Sequence, residues 1–109
     1  MDLSWNDFTK VDMRVGTVVK VEDFPEARNP AYKLWIDFGA LGTLKSSAQI
    51  TVKYNKEELL GAQVVAVVNF PEKQIGPFMS QCLVLGAVDG KAVTLLSPNK
   101  EVPNGLRIA

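Results

Sequence analysis

The chain has 109 residues, 47% of them apolar, enough for one domain with a modest core and too apolar for disorder. Its 12 Lys and Arg balance its 12 Asp and Glu, which argues against indiscriminate binding of nucleic acid or anionic membrane but leaves room for a local basic patch. Cys82 is the one cysteine and histidine is absent, so there is no intrachain disulfide, no commonest general base and no commonest nitrogen ligand.

In chain order, MDLSWNDFTK lacks the basic start and apolar core of a signal peptide. Ser4 followed by Asp7 reads as a helix cap, with Trp5 and Phe8 on one face of a short helix. From Met13 to Glu22 the residues alternate: Met13, Val15, Thr17, Val19 and Val21 on one face, Arg14, Gly16, Val18, Lys20 and Glu22 on the other. Period two over that length is a long strand, with Gly16 marking a bend or bulge. DFPEARNPA is a proline-marked connection to a second strand, in which Tyr32, Leu34, Ile36 and Phe38 alternate with Lys33, Trp35 and Asp37.

Gly39 and Gly42 bracket a turn before a third strand over Thr43–Ala48. Asn55 with Glu58 predicts the start of one short helix, Leu59 and Leu60 give it an apolar side, and Gly61 stops it. Gln63–Val68 reads as a buried strand and Met79–Ala87 as a fifth; Asp89-Gly90 is a hairpin turn with a return strand over Lys91–Leu96. Between the fourth and fifth strands lies a connection unusually apolar for a loop, with Phe70, Pro71, Ile75, Pro77, Phe78 and Met79. Such a loop points to burial against a partner, another loop or a ligand. No run approaches the roughly 20 apolar residues that span a bilayer. The expectation is a cytoplasmic domain without membrane insertion.

Five main strands with a helix between the third and fourth match a five-stranded Greek-key OB barrel, an all-β fold with short helices and terminal extensions, in one domain over residues 1–109. In that fold the loops after strands one and four flank the binding face. Here they are DFPEARNPA and FPEKQIGPF.

FTKVDMRVGTVVKVE resembles the opening of the tRNA-binding OB domains of methionyl- and phenylalanyl-tRNA synthetases and of free-standing dimeric tRNA-binding proteins. AYKL, Ser46, YNKEELLG, VVAVVNF and MSQCLVLGA follow in that family's order. Within it, PEARNPAYKLWIDFG, KSSAQIT, AVVNFPEKQIGPFMSQCLVLG and VPNGLRI are similar to the CsaA-type export-related chaperones. The chain departs from the wider tRNA-binding pattern at Tyr32, Ser47, Phe70, Gln81 and Cys82, and around Asn29-Pro30. The resemblance implies a homodimer to which the C-terminal region contributes, binding unfolded or precursor polypeptides for export, with tRNA as the alternative ligand. It implies no catalytic activity.

The candidate binding residues are Lys33, Ser46, Ser47, Gln49, Asn69, Phe70, Lys73, Phe78 and Ser80. Lys33 suits a phosphate or a peptide carbonyl, or is a solvated lysine on a half-exposed sheet. Ser46, Ser47 and Gln49 offer neutral donors and acceptors, or simply end a strand. Phe70 and Phe78 pack the loop, seal a dimer or stack a ligand, and Trp35 carries a similar ambiguity. Asn69 and Ser80 are expected to be neighbours at the two ends of the apolar loop. Phe24, Pro25 and Pro30 with Phe70, Ile75, Pro77 and Phe78 are expected to form an apolar cleft over a polar floor of Lys33, Ser46, Gln49 and Asn69. Cys82 reads as a small buried hydrophobe. No catalytic residue, cofactor or metal is expected, because no Cys pair, Walker loop or G-x-S-x-G elbow is present.

Overall fold

One long strand is shared between two neighbours, and the barrel is built on that sharing. The computed structural model describes residues 1–109. Helix α1 (Trp5–Thr9) precedes β1 (Met13–Asp23), β2 (Tyr32–Asp37), β3 (Thr43–Ala48), helix α2 (Lys56–Leu59) and β4 (Gln63–Val67). Five short strands follow: β5 (Lys73–Ile75), β6 (Phe78–Ser80), β7 (Leu83–Val84), β8 (Gly86–Asp89) and β9 (Ala92–Leu95). The main sheet has the order β3-β2-β1-β4-β7, antiparallel throughout, and curls into a nearly closed OB-type barrel. No helix is long and apolar enough to cross a membrane.

Residues Met13–Thr17 of β1 pair with β4, and Thr17–Asp23 pair with β2. The ladder with β2 slips between Val18 and Lys20, leaving Val19 as the extra residue of a bulge. Val18 before the bulge and Val21 after it therefore both pack on the barrel core, while Val19 between them is 48% exposed. This corrects the simple alternation expected for the strand, and moves its irregularity from Gly16 to Val19. Gly16 has a different task. A Cβ there would lie 2.6 Å from the Ile36 side chain and 2.8 Å from the Phe38 ring, so the missing side chain lets β2 close on β1.

Val18, Leu34, Ile36, Phe38, Ile50, Leu59, Val64, Ala66 and Cys82 fill the barrel. Helix α2 has only one full turn and depends on its cap. Asn55 Oδ1 accepts from the Glu58 N–H at 2.8 Å, and Glu58 Oε1 accepts from the Asn55 N–H at 2.7 Å. That box holds Leu59 over one end of the barrel.

The segment expected as one fifth strand is broken into three. Its pieces join different partners: β6 pairs with β5, β7 with β4, and β8 with β9. The apolar connection before it is itself a hairpin, β5–β6, turning through Gly76 at φ 57 and Pro77. The break falls at Gln81-Cys82, where the thiol enters the core and Gln81 turns back to β3. The tail lies on its own barrel. Gly105 N–H donates to Val15 O at 2.7 Å, Val15 N–H to Leu106 O at 3.0 Å and Ile108 N–H to Met13 O at 2.8 Å. It thereby occupies the half of β1 that β2 leaves free.

Candidate functional site

Two surfaces grow from the connections that sequence singled out. The first is the outer face of β1–β3. Register sets Lys20, Trp35 and Lys45 in one row and Glu22, Lys33 and Ser47 in the next. The first loop and the β5–β6 hairpin fold over this face and meet through their aromatic rings. Phe24 and Phe78 lie edge to face at 5.4 Å, and Phe78 meets Trp35 at 5.9 Å. With Ala31 they make a small second core, against which Ile75 also packs. The expected cleft between the two loops is thus filled by their own rings, Phe24 and Phe78 being 3% and 6% exposed.

Three ammonium groups sit above those rings. Lys33 Nζ is 5.1 Å from the Phe24 centroid and 5.8 Å from that of Phe78; Lys45 Nζ is 5.2 Å from Phe78, and Lys20 Nζ is 4.5 Å from Trp35. Lys20 pairs with Glu22 at 3.3 Å, whereas Lys33 and Lys45 form no ion pair. A chain with no net charge therefore carries a local positive patch on this face.

The second surface is a cleft of about 640 Å³ where β3 faces β6 and β7. Here the barrel is closed mainly by side chains. Gln81 N–H donates to Lys45 O at 2.7 Å and Gln81 Oε1 accepts from Lys45 N–H at 3.0 Å, while Ser80 Oγ accepts from Ser47 N–H at 3.2 Å. A further bond from Gln81 Nε2 to Glu72 Oε2, 2.7 Å, fixes the glutamine. Beyond Ser47 the seam opens, and Phe70, Ile75, Val88 and Val93 give the opening apolar walls. Cys82 is in its floor. Burial pushes this thiol up to about 12, against a smaller opposing effect of a hydrogen bond with Ser46, so it stays neutral.

Of the candidates, Ser47, Gln49, Phe70, Lys73 and Ser80 come together at this cleft. The other four do not. Lys33 and Phe78 belong to the first face. Ser46 is 1% exposed and its hydroxyl donates to Ser47 O, inside the barrel. Its inward direction was readable, because Ser46 shares its strand phase with Leu44 and Ala48. Asn69 holds the approach to β1, accepting from Asp12 N–H at 3.1 Å and donating to Lys10 O at 2.7 Å. Ser80 bonds to Ser47 and Cys82 instead, so the two expected neighbours share no partner. Sequence reasoning passed over Lys20, Lys45, Gln81, Val88 and Val93 as site residues. The last two were within reach, since the Asp89-Gly90 turn sets Val88 directly opposite Val93.

Residues 13–107 match the family described as a putative tRNA binding domain. The chain is 53% identical to the chaperone CsaA from Bacillus anthracis, with a TM-score of 0.96 and 100% of both chains covered. It is 52% identical to the CsaA chaperone protein from Picrophilus torridus, with a TM-score of 0.93 over 99% of this chain and 100% of the other. A methionine–tRNA ligase from Pyrococcus furiosus is 38% identical over 107 residues, which are 97% of this chain and 14% of the ligase. The chain thus spans a small part of the length of the curated relatives it matches.

Proposed function

The chain belongs to the putative tRNA binding domain family, and we propose that within it this protein is a homodimeric CsaA-like chaperone, cytoplasmic and without catalytic activity, that binds unfolded or precursor polypeptides for export. The observation that carries this reading is the seam cleft. It combines an exposed phenylalanine, Phe70, and apolar walls with the neutral polar groups of Ser47, Gln49 and Ser80. An unfolded chain offers apolar side chains and peptide groups together, and a surface with both kinds of partner suits it. The high identity to two CsaA chaperones over the full chain supports the same reading.

The homodimer has its own support. Helix α1 buries none of its residues, and Leu3 and Trp5 are 72% and 74% exposed. Arg107 Nη2 donates to Thr9 O at 3.0 Å, which brings the tail and its exposed Leu106 beside this helix. A second copy would cover such a patch. Light scattering at micromolar concentration tests it: the expected result is twice the chain mass, falling to one chain in Trp5→Asp. A monomeric parent protein defeats the dimer.

A second reading, tRNA binding, has the lysine patch in its favour. Because Phe24 and Phe78 are covered, the patch suits phosphate contact better than base stacking. The two readings part in one paired titration, with reduced, alkylated α-lactalbumin and with tRNA, each at several salt concentrations. Polypeptide binding should hardly respond to salt. For tRNA held by three lysines, the logarithm of affinity should fall with that of salt at a slope of about −2 to −3. Replacing Lys33 and Lys45 by Ala should flatten that slope by about 1–2 and leave polypeptide binding unchanged. Binding of tRNA alone would reverse the order of the two readings.

A further inference from the structure

We propose that an extended peptide enters the seam cleft by strand addition at Gln49, pairing its backbone with that residue and setting a carboxylate against Lys73. This rests on the polypeptide-binding reading and specifies how the same site recognises its ligand.

The argument starts from alternation in β3. Every second peptide group of a strand points to the same edge. Lys45 and Ser47 face the seam, as their bonds to Gln81 and Ser80 establish. Gln49 is the next residue in that phase, just past the end of β3, and it is exposed and lines the cleft. Its partners are missing. No hydrogen bond of the chain uses the backbone N–H or C=O of Gln49. Bonds across the seam thus fall from two at the Lys45 backbone, through one at Ser47, to none at Gln49. An unpaired strand edge beside an apolar pocket is a template for another extended chain.

Side chains and charge narrow the occupant further. A peptide paired at Gln49 would send alternate side chains toward Phe70, Ile75, Val88 and Val93. Lys73 is the one charged residue lining the cleft, and it forms no ion pair. A smaller cavity of about 410 Å³ adjoins on the other side of Gln49, and Lys91 is the one charged residue lining it. Lys73 and Lys91, neither of them in an ion pair, favour an apolar peptide that carries an acidic group over one that carries a basic group.

The test uses a fluorescein-labelled hexapeptide of alternating valine and threonine ending in aspartate, with its C-terminus amidated. Two derivatives are N-methylated on one or the other alternate set of peptide nitrogens. Because the chain would offer one edge only, one set should weaken binding at least tenfold and the other less than twofold. Equal effects of the two sets overturn strand addition, while leaving polypeptide binding in place. Amide exchange at Gln49 should slow at least tenfold when the unmethylated peptide saturates the protein; unchanged exchange overturns the proposal. Lys73→Gln should cost at least threefold with the aspartate peptide and nothing with an asparagine counterpart, and an equal loss with both overturns the charge assignment. A hexapeptide that fails to bind where alkylated α-lactalbumin binds overturns the site but not the chaperone reading; if neither binds, both fall.

Discussion

Phe78 is buried against Phe24 and Trp35, whereas Phe70, in the same connection, is 56% exposed at the cleft. Both are phenylalanines flanked by proline in an apolar stretch, and their difference is one of position. Phe78 opens β6, where the register with β5 turns it onto the first loop beneath Lys33 and Lys45. Phe70 precedes the hairpin and meets no such cover. One ring completes a fold; the other is free to complete a complex.

The contrast breaks most visibly if Phe78 is shortened. Phe78→Ala should cost about 3–5 kcal/mol of stability, the usual range for an aromatic removed from a core. Urea unfolding measures it, and a cost under about 1 kcal/mol would mean that the second core contributes little. In this comparison any loss of ligand binding by Phe78→Ala is read only after folding is established.

The floor of the cleft belongs to the main core, and pH exposes that. The Cys82 thiol is raised from 9.0 to about 12, so in the folded chain it holds its proton longer than in the unfolded chain. Below pH 9 both states are protonated and the contribution is fully present. As pH rises from 9 toward 12 only the unfolded state ionises, and on the order of 4 kcal/mol is lost across that interval. Unfolding free energies measured from pH 8 upward should fall more steeply in the parent protein than in Cys82→Ala. Parallel curves would mean that the thiol is not protected.

Asn69 separates the structural end of the connection from its binding end. Asn69→Ala removes bonds to Lys10 O and Asp12 N–H, and should cost about 1–2 kcal/mol of stability with little effect on polypeptide affinity. Thermal unfolding and the titration together decide; a selective loss of affinity would move Asn69 into the site. The smallest stability effect belongs to Phe70→Ala, within about 0.5 kcal/mol, since an exposed ring has few contacts to lose. Its affinity for alkylated α-lactalbumin should nevertheless drop at least tenfold. If stability falls and affinity holds, the two phenylalanines do not differ in the way their exposure indicates.

What sequence alone determined is what neighbours along the chain enforce. Leu34, Ile36 and Phe38 alternate into the core as their period requires, Asn55 and Glu58 cap a helix through side chains three residues apart, and Asp89-Gly90 turns a hairpin. The same local rule put Ser46 inside and Ser47 and Gln49 outside, although the polar character of all three concealed it. Tertiary structure decided the rest. The bulge at Val19 lies within the β1–β2 ladder, just beyond the residues that pair with β4, and the division of residues 79–87 follows from three separate pairings. Whether Phe70 or Phe78 is covered depends on Phe24 and Trp35, which are distant in sequence and approach only when the first loop folds back over β2. A side chain's periodicity says which way it points, but its burial depends on what arrives opposite, and that is fixed only when the barrel closes.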